Sequence, residues 1–157
     1  MKSLSRNFAI AIFVAFAIGS IYGCAEKPIT FAGPGVQIWK LNVIHEDGMV
    51  LKDQTLVLTP SETEKDVFHV TATFDTEVES DGGGKYRVFA EWKGEVRNGM
   101  MLCEGIWIVS TVGGAEPGDY GISTVKGTFS KRRASGTTHV KGALGQKQGK
   151  WTAERIS

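Results

Sequence analysis

From residue 36 onward the chain is organised by one pattern, apolar residues alternating with polar ones at period two, broken by turn residues. Alternation of this kind puts one face of an extended segment in a core and the other in water. The runs at 36–43, 50–58, 67–76, 85–97, 100–111, 120–130, 134–144 and 147–156 make eight candidate strands. The links between them hold His45-Glu46-Asp47-Gly48, Thr59-Pro60-Ser61, Ser80-Asp81-Gly82-Gly83-Gly84 and Asn98-Gly99, all turn compositions. No stretch carries the 3.6-residue period of an amphipathic helix. The pattern predicts an all-β domain, about eight-stranded, in an antiparallel up-and-down meander. Such a sheet escapes its exposed edges by closing into a barrel, and a two-sheet β-sandwich is the alternative.

One hairpin can be read in register. Asn98-Gly99 suits a type I′ turn, which needs positive φ at both positions. Pairing Arg97 with Met100 sets Val96 opposite Met101, Gly94 opposite Cys103, Trp92 opposite Gly105, Ala90 opposite Trp107 and Val88 opposite Val109. Opposed residues share a face, so each tryptophan meets a small residue on the apolar side. If the sheet closes, Val88, Trp92, Trp107 and Val109 line its interior and become candidate ligand-lining residues. Arg155 shares a face with Trp151 and Ala153 and joins them as a candidate partner for a ligand carboxylate. The other face of the hairpin carries Phe89, Leu102, Ile106 and Ile108 among its charges. This apolar stripe is a candidate interface.

The first two dozen residues have a different character. A basic, acid-free start (Lys2, Arg6) leads into an unbroken apolar run from Phe8 to Ile18, then into smaller residues. That is the layout of a secretory signal peptide, and the run is shorter than the roughly 20 apolar residues that span a bilayer. Ile21-Tyr22-Gly23-Cys24 resembles the lipobox of bacterial lipoproteins, with Tyr22 bulkier than the residue usual at its place. The resemblance implies cleavage before Cys24 and acylation of that cysteine by chains such as palmitate. It divides the chain into a signal peptide (1–23), a lipidated N-terminus and tether (24–35) and a single β domain (36–157). It also implies anchoring in the cell envelope. Ala25, which is not Asp, permits passage to the periplasmic face of an outer membrane. Cleavage after Gly19 and plain secretion is the alternative.

Charge excludes some partners. The whole chain has 18 basic and 17 acidic residues, and without residues 1–23 the counts become 16 and 17, net −1. No field of that size recruits nucleic acid. His45, His69 and His139 have no metal-ligand spacing, so no metal or cofactor is expected. His45 reads as part of a polar turn and His69 as solvent-facing. No G-x-S-x-G elbow occurs, and Gly145-Gln146-Lys147-Gln148-Gly149-Lys150 lacks the Ser or Thr of a phosphate loop. Cys103 falls on the core face and reads as an inert small hydrophobe. Residues 113–120, the most glycine-rich link, are the candidate lid or entrance.

The meander, Gly105-Ile106-Trp107, Gly149-Lys150-Trp151 and the Lys-Gly steps at Lys93, Lys126 and Lys141 look broadly like calycin or allene-oxide-cyclase-like barrels. Lipocalins carry Gly-x-Trp at the first strand and this chain does not, so no functional residue is carried over. Three readings follow. The first is a non-enzymatic envelope lipoprotein binding a small apolar ligand inside its barrel, which requires a hollow interior. The second is a structural or assembly lipoprotein meeting a second copy or another envelope protein through the apolar stripe, which requires that stripe to be uncovered. The third is an isomerase- or hydrolase-like barrel enzyme, for which no catalytic residues stand out.

Overall fold

A computed structural model describes residues 35–79, 83–113, 117–143 and 145–157. The signal peptide, Cys24 and the tether up to residue 34 lie outside the described residues. Eight strands follow one another, β1 (Gln37–His45), β2 (Val50–Pro60), β3 (Val67–Glu79), β4 (Lys85–Arg97), β5 (Met100–Thr111), β6 (Pro117–Phe129), β7 (Arg133–Gly142) and β8 (Gly145–Arg155). Each pairs antiparallel with the next, and β1 also pairs with β8, so the sheet is a closed barrel. The sandwich alternative is set aside by that closing pair, which runs from Trp39 opposite Arg155 to His45 opposite Gly149.

The β4–β5 hairpin has the register its turn dictates, from Arg97 opposite Met100 to Val88 opposite Val109. Asn98 and Gly99 have φ of 52° and 76°, the left-handed pair that a type I′ turn demands. Where β1 meets β2 the register shifts between Leu41 and Val43. Asp53 there has φ of 56°, and its N–H donates to the Asn42 side-chain oxygen at 3.0 Å. This bulge adds the local twist by which a long strand bends into a barrel wall.

Apolar side chains fill the interior. Trp39, Trp92, Trp107 and Trp151 are at most 2 % exposed, and small residues make room for them. Trp107 lies opposite Ala90 and Gly121, and Trp92 opposite Ala72 and Gly105. Trp151 lies opposite Gly136, and its ring occupies the space where a side chain on Gly127 would stand. Its indole N–H donates to the Lys126 carbonyl at 3.1 Å. Trp39 meets Phe129 edge-on with ring centroids 4.9 Å apart. Outward positions carry charge, as in the pairs Lys40–Asp53, Arg87–Asp75 and Arg97–Glu64. An apolar inside and a charged outside invert the arrangement of a barrel that crosses a membrane. Among the described residues the buried core cluster is drawn from the strands, from Trp39 to Ala153.

Two ends can be told apart. The bottom holds the start of β1, the Asn98-Gly99 turn and the chain's C-terminus. The top holds the β1–β2 turn, the segment leading into β6 and the start of β8.

Candidate functional site

Val88, Trp92, Trp107 and Val109 face the barrel interior. A void wide enough for water would leave its walls accessible to water, and these four are only 0, 1, 2 and 6 % exposed. They close on one another and on the rest of the core. Arg155 stands apart from them. It is exposed at the bottom rim, where its Nε donates to the Ser157 carbonyl at 3.1 Å. The fifth of the candidate lining residues therefore does not line the interior, because β8 ends there and the side chain reaches water.

Phe89, Leu102, Ile106 and Ile108 lie outside. Leu102 and Ile106 are 56 and 44 % exposed, and Phe89 and Ile108 are half-buried. The structure adds two residues missed in the sequence, Tyr120 and Ile122 of β6, both more than 60 % exposed. Phe89 pairs with Ile108 and Ile108 with Tyr120, while Ile106 pairs with Ile122. The result is a continuous apolar stripe across three strands. Neighbouring cations on β4 are neutralised, Arg87 by Asp75 through two hydrogen bonds and Lys93 by Glu91. Glu104, within the stripe on β5 between Leu102 and Ile106, and Lys126 and Lys141 on β6 and β7 have no ion pair among the described residues. An open groove of about 950 Å³ lies elsewhere on the wall, toward the bottom, between Lys40, Arg133, Thr152 and Glu154.

The third feature lies inside the top end, where polar residues take inward positions. β1 continues two residues beyond the expected 36–43, so His45 is a strand residue, 3 % exposed, rather than part of a turn. Inward alternation through Trp39, Leu41 and Val43 carries it into the barrel. Thr138 and His45 flank Gly149 from the two neighbouring strands, and a Cβ on Gly149 would lie 2.9 Å from Thr138 Cγ2 and 3.1 Å from His45 Nδ1. The imidazole rests on the Trp107 indole with centroids 4.7 Å apart. Ser123, inward on β6, is fully buried. Both imidazole nitrogens, the Trp107 Nε1, the Ser123 Oγ and the Thr138 Oγ1 lack a hydrogen-bond partner among the described residues. Each such buried group costs roughly 1–3 kcal/mol.

A charged clasp closes this end. Lys147 Nζ lies 3.3 Å from Asp47 Oδ2 and 3.6 Å from Asp119 Oδ2, joining the β1–β2 turn to β6. Asp119 comes from the glycine-rich candidate lid segment, of which residues 114–116 lie outside the described residues. Burial holds the His45 imidazole below its ordinary pKa, and Lys147 adds to this while Asp47 opposes it. Burial works to raise the Asp47 carboxyl, but the Met49 N–H and Lys147 outweigh it and hold it below the usual value. Neither imidazole nitrogen bonds Ser123, so the two do not form a nucleophile–base pair in this geometry.

Of the remaining residues singled out in the sequence, Cys103 is buried and reduced, its thiol pushed up to about 12 by burial. His69 is exposed beside Glu95, and no group of three or more metal-ligating side chains forms among the described residues. Comparison with known proteins finds no matching family model, no matching curated protein and no matching solved structure.

Proposed function

We propose that this chain is a lipid-anchored envelope protein that acts by assembly, its outer β4–β6 face docking on a second copy of itself. The observation that carries the reading is the uncovered stripe of Leu102, Ile106, Tyr120 and Ile122. The interior reading of a small apolar ligand needs space, and the apolar core is filled by its own tryptophans.

A second copy fits for two reasons. Homodimers use the same patch on both subunits. A two-fold axis in the contact plane and along the barrel sets the β4–β5 side of one stripe against the β6–β7 side of the other. With the axis between β5 and β6, Glu104 of one copy comes beside Lys126 of its mate. The same axis also keeps both bottom ends on one side. β1 of both copies begins on that side, which suits a pair anchored through Cys24 to one membrane.

Sedimentation velocity on residues 35–157 tests the docking. The expected result is a dimer that Ile122→Glu and Ile106→Glu each convert to monomer with the barrel intact. A monomer throughout the micromolar range, or a dimer indifferent to both substitutions, overturns it. Radiolabelled palmitate fed to cells making the full chain tests the anchor. Label should enter the full chain and be lost in Cys24→Ala.

A further inference from the structure

The barrel interior treats its two kinds of side chain unequally. The apolar residues are satisfied by packing on one another, whereas the polar groups at the top end are packed without being satisfied. We propose that the top end is a binding site for a small, uncharged, hydroxyl-bearing molecule, admitted when the Lys147 side chain swings out of its clasp.

The class follows from the groups that face one another. Ser123 and Thr138 hydroxyls both donate and accept, the Trp107 indole donates, and a neutral imidazole at His45 offers one donor and one acceptor. A ligand whose own groups donate and accept in turn, as hydroxyls do, answers this set. Charge narrows it further. An anion would meet the Asp47 and Asp119 carboxylates, which both face Lys147 at the entrance. A cation would contest the two carboxylates with Lys147 and leave the deeper groups unserved.

The backbone is shaped for close approach as well. Glycines at Gly121, Gly142 and Gly149 let neighbouring groups pack closely, a Cβ on Gly149 lying 2.9 Å from Thr138 Cγ2. With His45, Ser123, Thr138 and Trp107 at most 3 % exposed the closed end holds no void, so a ligand enters only as the clasp opens. The clasp is the accessible part. The Lys147 side chain is 31 % exposed, while Asp119 beneath it is 6 % exposed. Lysine has a long flexible stem, and only the two ion pairs hold it across the opening. This inference rests on the interior of the top end and stands independently of docking through the outer stripe.

The test is a titration followed by nitrogen-15 NMR on residues 35–157, reading the Trp107 indole N–H, assigned through Trp107→Phe. Glycerol and glucose are the neutral probes, with acetate and methylammonium as charged comparators. The expected result is a saturating shift with a neutral probe in the millimolar range. Lys147→Ala should make binding severalfold tighter, and Thr138→Val should weaken it about tenfold while the remaining spectrum is preserved. Two outcomes overturn the proposal. One is no saturation by glycerol or glucose in either the unmodified chain or Lys147→Ala. The other is saturation by acetate or methylammonium alone.

Discussion

Replacing Thr138 by valine should make the barrel more stable. Valine keeps the β-branched shape that suits a strand and exchanges only the hydroxyl for a methyl. In most cores that exchange is harmful, because the hydroxyl has a partner. Here Thr138 is 2 % exposed and its Oγ1 has no partner among the described residues, so the folded state holds a desolvated hydroxyl with nothing in return. Relief of such a group is worth about 1–3 kcal/mol. Against this stands the slight extra bulk of a methyl beside Gly149 and His45. The net gain should be about 1–2 kcal/mol, a rise in melting temperature of roughly 3–8 °C for a domain of this size. Urea unfolding followed by tryptophan fluorescence suits the measurement, since all four tryptophans are buried. The midpoint should rise with the slope unchanged. Thr137→Val, one residue away and solvent-facing, should stay within about 0.5 kcal/mol of the original. A lower midpoint for Thr138→Val would refute the reasoning, because it would mean that the hydroxyl already has its hydrogen bond.

Acidification should weaken the barrel in two stages. Because burial depresses the His45 pKa, the unfolded chain takes up a proton that the folded barrel refuses, so stability is full above about pH 6.5 and falls as pH drops from there toward the folded value. Asp47, held below 3.8, adds a second loss only at more acid pH. His45→Gln should flatten the first stage in urea midpoints measured from pH 7.5 to 5, and an unchanged slope against pH would count against the buried imidazole as its source. Gly127→Ala should cost at least about 3 kcal/mol, since its Cβ would lie 2.5 Å from the Ser135 carbonyl oxygen and run into the Trp151 ring; a melting temperature within a few degrees of the original would contradict this packing. Cys103, 1 % exposed with its thiol pushed up to about 12, should react with a thiol reagent at pH 8 only when the barrel unfolds, and rapid labelling of the native protein would show the site is open.

The parts of the molecule readable in the sequence are those where a single local rule decides the outcome. Asn98-Gly99 leaves two residues between strands, so one turn type fixes every pair from Arg97–Met100 to Val88–Val109, and the structure has that register. Eight alternating runs with short links leave edges that need covering, and the pairing of β1 with β8 covers them. Tyr120 and Ile122 escaped the reading because the link before β6 is too long to transmit register from β5. The stripe could therefore be followed across β4 and β5 but not onto its third strand. The filling of the interior is hidden for another reason. Whether Trp151 leaves a void depends on Gly136, opposite it on β7, and on Gly127 one strand further, in hairpins whose turns do not dictate register as Asn98-Gly99 does.

The top end was hidden by the assumption that made the rest readable. Binary patterning takes a polar residue in a strand as facing water. By that rule His45 becomes a turn residue, and nothing marks Ser123, Thr138 or Lys147 as inward. Strand parity places all of them inward, alongside Val43, Val125, Val140 and Trp151. Period and polarity agree along most of the barrel and disagree at Gln37 at the bottom and, on four strands together, at this end. Sequences keep such conflicts where something other than stability selects them. An accidental polar residue on one strand would be relieved by a single substitution to valine or leucine. Retaining His45, Ser123 and Thr138 on β1, β6 and β7 at once, beneath a β8 lysine clasped between two carboxylates, is what the proposed ligand, satisfying them together, would explain without three independent tolerances.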